Sequence, residues 1–129
     1  MSSQKNAIEI PQDVAITLML ETWRLWQAIG KLEAQFNTIA IRYPIKKMKD
    51  ALESSGCKFI DLTGQSYDTG MAVDIITTEE DSLIKSGDII IKEMVSPIIL
   101  WNNMLLRHGQ VVLAKGITDD KGLDNEQTL

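Results

Sequence analysis

The spacing of apolar side chains divides this chain into a helical part and a strand-rich part. From about Asp13 to Tyr43, the residues Ala15, Leu18, Thr22, Leu25, Ile29, Leu32, Phe36, Ile39 and Tyr43 follow one another at alternating steps of three and four, and only Thr22 is polar. A row with that period keeps one face of an α-helix turned toward a neighbour over about four heptads. Asp13 stands where an N-cap belongs, with Pro11 just outside. Met19, Trp26 and Ala28 flank the row and widen it beyond a two-stranded zipper, so bundle-like packing is expected. At Pro44 the phase is lost. Ile45, Met48 and Leu52 begin a second, shorter helix that Ser54, Ser55 and Gly56 close.

A lone helix of this length is not stable on propensity. Burying each Leu, Ile or Phe of the row contributes roughly 1.5–3 kcal/mol, and the rest of the chain is short for covering so long a stripe. Pairing with a second copy is therefore expected, through Leu18, Leu25, Ile29, Leu32, Phe36 and Ile39.

Beyond Gly56 the period changes to that of strands. Cys57 to Leu62 roughly alternates, and Met71–Thr77, Asp88–Val95, Pro97–Trp101 and Gln110–Ala114 are short runs rich in β-branched residues. The acidic, Gly-ended stretch from Thr77 to Gly87 reads as an exposed hairpin loop, and Asn102-Asn103 as a tight two-residue turn. The expected organisation is a flexible N-terminus (1–12), a helical dimerisation region (13–55), a β-rich head (56–115) and a flexible acidic tail (116–129). The fold class is α+β: a long dimerising helix, a short helix and a small antiparallel head, barrel or sandwich.

Charge and composition narrow the function classes. Eighteen acids against thirteen Lys and Arg give a net charge of -5 over 129 residues, the opposite of the basic surface that nucleic acid or an anionic membrane attracts. No run approaches the roughly 18 apolar residues of a membrane span, and the opening MSSQKNAIEI lacks the pattern of a secretory leader. With Cys57 as the only cysteine, a cytoplasmic location is expected. Cys57 and His108 stand alone in type, so neither a nucleophile–base pair nor a metal cluster stands out. Glu79, Glu80 and Asp81 lack calcium-loop spacing, and neither phosphate-loop glycine pattern occurs. No enzyme, metal or cofactor is expected.

The run MKDALESSGCKFIDLTGQSYDTGMAV, Met48 to Val73, resembles the junction between helix and β head in the GrpE family, the nucleotide exchange factors of the DnaK chaperone. Leu52, Gly56 with Cys57, Ile60, Gly64, Tyr67-Asp68-Thr69 and Ala72-Val73 stand where that family carries a Leu, a Gly-Val pair, an Ile, a second Gly, Phe-Asp-Pro and Ala-Val. MLLRHGQVVLAKG resembles the family's last strand, with Arg107 in its arginine position. The resemblance covers about Asp13 to Lys115. It implies a homodimer that uses no catalytic residue, and whose head meets the nucleotide-binding domain of a DnaK-type chaperone through Tyr67, Asp68, Met71 and Arg107. The sequence departs from the family where Thr69 replaces Pro, where a His-Glu pair before Ala72 is missing, and where His108-Gly109 replaces Pro-Ala. Those departures leave a second expectation, a dimeric adaptor or assembly subunit of another bacterial complex.

Overall fold

The computed structural model describes residues 7–32 and 36–117 and is of mixed α+β type. Two helices, α1 (Gln12–Leu32) and α2 (Ile39–Ser55), precede six strands: β1 (Cys57–Ile60), β2 (Val73–Asp81), β3 (Ile89–Ser96), β4 (Ile98–Trp101), β5 (Met104–Arg107) and β6 (Gly109–Gly116). The expected mobile termini fall largely outside the described residues, as does segment 33–35 in the middle of the expected seam. Two compact units emerge, one of Met1–Lys58 with Trp101–Leu106, the other of Phe59–Leu100 with Arg107–Leu129.

In the first unit, the single helix expected from Asp13 to Tyr43 is replaced by a helical hairpin. Leu18 and Met19 of α1 share a groove with Leu52 and Ser55 of α2, whereas Trp26 and Ile29 lie beside Arg42. The order runs oppositely on the two helices, so they are antiparallel. The polar pair Asn37-Thr38 provides the restart. The Asn37 carboxamide oxygen accepts the Ile39 N–H at 3.2 Å, and the Thr38 carbonyl accepts the N–H groups of Ile41 and Arg42 at 3.1 and 2.8 Å. Pro44 lies inside α2 rather than at its boundary. It forfeits the hydrogen bond to the Ala40 carbonyl, a loss the helix absorbs near its N-terminal end. Ion pairs Lys46–Asp50 (2.8 Å) and Lys49–Glu53 (2.9 Å) hold the following turns.

The second unit departs from an all-antiparallel head. Its three-stranded sheet has the order β2-β6-β3, with β6 antiparallel to β3 but parallel to β2. Parallel neighbours need a long crossover, and residues 82–108 supply it. A separate three-stranded sheet, not confined to this unit, has the order β1-β4-β5. The Thr77–Asp81 segment, expected in a loop, continues β2 and pairs with Val112–Gly116. Backbone pairing overrides its polar side chains, which an edge strand leaves in water. Ile91, Met94, Ile98, Val111 and Leu113 form the buried core. The tight turn at Asn102-Asn103 is present, with φ of 49 and 68 degrees, and β5, not anticipated from the sequence, follows it.

Gly116 is required by close approach: a Cβ there would lie 2.1 Å from the Lys85 carbonyl oxygen of the loop crossing over it. Gly116→Ala should lower stability by about 1–3 kcal/mol in denaturant titration. Pro44→Ala should act oppositely, raising it by about 1–3 kcal/mol through the recovered helical bond.

Candidate functional site

The residues expected to form a dimer seam are not equivalent once α1 packs on α2. Met19, Leu20, Trp23 and Ile29 are turned into the helical unit, and Thr22 joins them because its hydroxyl donates to the Leu18 carbonyl at 2.7 Å. The seven-residue row Leu18, Leu25 and Leu32 stays in water, at 54%, 45% and 42% exposure against 5% for Ile29. Val14, Phe36, Ile39, Tyr43 and Met48 are also exposed apolar positions. An α-helix places residues seven apart on one side, so the three leucines share a face, roughly 10.5 Å apart along the axis. Trp26 is held by cations from α2, with Arg42 at 5.4 Å and Lys49 at 5.5 Å from its ring centre. Next to Leu18 an open groove of about 580 Å³ is lined mainly by Ile10, Met19, Leu52, Trp101 and Met104.

The four residues that resemblance assigns to the chaperone lie in the second unit, in two settings. Tyr67 and Met71 are half-buried against its core, and the Tyr67 N–H is given to the Ile89 carbonyl at 2.8 Å. Asp68 is exposed and shapes the turn between them: its carboxylate accepts the Gly70 N–H at 3.2 Å and its carbonyl the Met71 N–H at 3.0 Å. Arg107 ends β5 half-buried, and its Nε is shielded from solvent without a hydrogen-bond partner among the described residues. An unmet donor of that kind costs about 1–3 kcal/mol. His108 is exposed, with Nδ1 3.3 Å from the Asp74 carboxylate.

Among the described residues no three of His, Cys, Asp and Glu converge as metal ligands, and no helix is long and apolar enough to cross a membrane. Cys57 is buried. Met19 and Trp26, expected to widen one seam, belong instead to the side of α1 that packs within the chain, together with Leu20 and Trp23, which the sequence reading left out. No family model and no curated protein matches the chain.

Burial, and secondarily the negative charge of Glu53, pushes the Cys57 thiol up to about 11 from 9.0. A raised pKa means that the fold favours the neutral thiol. Its contribution to stability is complete below the unfolded value of 9.0 and is lost as pH rises through about 11. At about pH 8, iodoacetamide should alkylate Cys57 only as fast as the protein opens, and rapidly in denaturant. Fast alkylation of the folded chain would contradict this.

Proposed function

We propose that the protein is a GrpE-like cochaperone. Two copies pair through the exposed leucine stripe of their helical units, and the β unit binds the nucleotide-binding domain of a DnaK-type chaperone in its open, nucleotide-releasing form. Such an activity is differential binding to one conformation and needs no catalytic group. The observation that carries the reading is the row Leu18-Leu25-Leu32: α1 buries one apolar face within its own chain and keeps a second, seven-residue-spaced face in water. The mixed α+β order, with helices before strands, supports the reading at the level of fold class alone, since the helical part is a hairpin and not one long helix. Arg107 takes its part in this reading from the resemblance alone, since its Nε is shielded from solvent.

One observation favours the alternative of a non-catalytic adaptor. Gly109 stands where the family has Ala, and a Cβ there would lie 2.6 Å from the Met94 methyl and 3.2 Å from the Ile98 nitrogen. The final turn is thus packed for glycine, so the departure from the family pattern is built into this chain's core. In this reading the dimer persists and the chaperone is replaced by another protein.

Because Leu25 and Leu32 are exposed in the single chain, Leu25→Asp with Leu32→Asp should leave the circular dichroism spectrum unchanged while converting a dimer to a monomer in sedimentation. A wild-type protein that sediments as a monomer would remove the pairing. For the chaperone, the protein should accelerate release of fluorescent ADP from a DnaK-type chaperone on the order of tenfold. An unchanged release rate at saturating protein would leave only the adaptor reading.

A further inference from the structure

The two ends of the β2-β6-β3 sheet are treated differently by the chain. Outside β3, the segment from Gly64 to Tyr67 is hydrogen-bonded to the strand. The Gly64 N–H goes to the Ile91 carbonyl (2.7 Å), the Ile91 N–H to Gln65 (2.9 Å) and the Tyr67 N–H to Ile89 (2.8 Å), with a bridge between Ser66 and Ile90. Outside β2 nothing comparable occurs among the described residues. From Asp74 to Glu79 the backbone pairs with β6 alone, with a bulge at Ile76, and no other described segment is paired along the opposite edge. Along this edge lie β-branched residues, Ile75, Ile76, Thr77 and Thr78, with Ile75 46% and Ile76 53% exposed.

We propose that the free edge of β2 is a strand-addition site for an extended polypeptide segment that alternates β-branched residues with Lys or Arg. An added strand would extend the main-chain ladder, and its apolar side chains, all on one face, would form a cross-strand pair with Ile75 or with Ile76. Charge sets the choice of partner. β2 carries Asp74, Glu79, Glu80 and Asp81 and no basic residue. Within the chain, Lys92 pairs with Glu79, and the His108 ring lies beside Asp74. Leaving Glu80 aside, Asp74, Glu79 and Asp81 outweigh the single Lys92, so the strand stays acidic on balance. The same argument disfavours residues 118–129 as occupant, because they hold Asp119, Asp120, Asp124 and Glu126 against Lys121. A second copy would bring the same acids against themselves. The site is independent of the chaperone reading and stands whether or not nucleotide release is accelerated.

The test uses the full-length protein and three peptides. The probe is acetyl-Lys-Val-Thr-Val-Lys-Val-Lys-amide. One control is the same peptide N-methylated at its backbone amides, which keeps the side chains and removes the donors. The other has Glu in place of each Lys. Hydrogen exchange should show the probe slowing amides within Val73–Glu79 by about tenfold, with both controls binding about tenfold more weakly. Three results would overturn the proposal: equal binding of the N-methylated peptide, no binding or protection elsewhere in the chain at millimolar probe, or protection of Val73–Glu79 without probe that grows with protein concentration. The last would assign the edge to a second copy.

Discussion

Helix α1 carries apolar side chains around more of its circumference than one neighbouring helix covers. Met19, Leu20, Trp23 and Ile29 are satisfied by the hairpin with α2, but Leu18, Leu25 and Leu32 project from another side and remain hydrated. Each such leucine, about half exposed, forgoes about half of the roughly 1.5–3 kcal/mol of full burial for as long as the chain stands alone. Apolar residues left exposed along one face of a helix are what a second helix would cover. The proposed pairing of two copies rests on this excess, and the proposed chaperone role adds to it the resemblance around Tyr67 and Arg107.

In the β unit, strand β6 occupies the corresponding central place. It is flanked on both sides, and Val111, Leu113 and Ala114 are all but inaccessible. A strand buried on both faces reads as a continuous apolar run rather than an alternating one, and GQVVLAKG has that character. Because β6 takes the middle, β2 and β3 are separated and each presents an outer edge. The Gly64–Tyr67 segment covers the edge of β3 and leaves that of β2. The closeness of the loop over Gly116 and of Met94 over Gly109 comes from the same central strand, whose glycine ends let other chain segments pass within contact distance.

The two proposed surfaces differ in kind. The stripe on α1 would be recognised through side chains and area, which suits a large partner such as a second copy. The edge of β2 would be recognised through main-chain groups, which suits an extended segment and takes its selectivity from charge and the two isoleucines. Neither involves bond making. Cys57, the sole thiol, is kept neutral by burial and belongs to the packing of the helical unit.

Much of the local structure could be read from residue order. Apolar spacing indicated helix around Leu18 to Leu32 and Ile45 to Leu52, β-branched runs marked four strands, and the Asn102-Asn103 pair indicated the turn that its positive φ values confirm. Three things could not be read. The helix restarts at Ile39 and runs through Pro44, because Asn37 and Thr38 supply the restart and packing on α1 outweighs one missing hydrogen bond. Six of the nine residues of the apolar row are exposed and only Thr22 and Ile29 are buried, because 3.5-residue spacing specifies a face but not which neighbour meets it. The Thr77–Asp81 segment is strand because β6 arrives beside it from residues far along the chain. Periodicity is a property of neighbours in sequence and determined which segments are helix or strand. Which face is covered, and which edge is left open, depends on what other segments are brought there, and only the tertiary structure decided that.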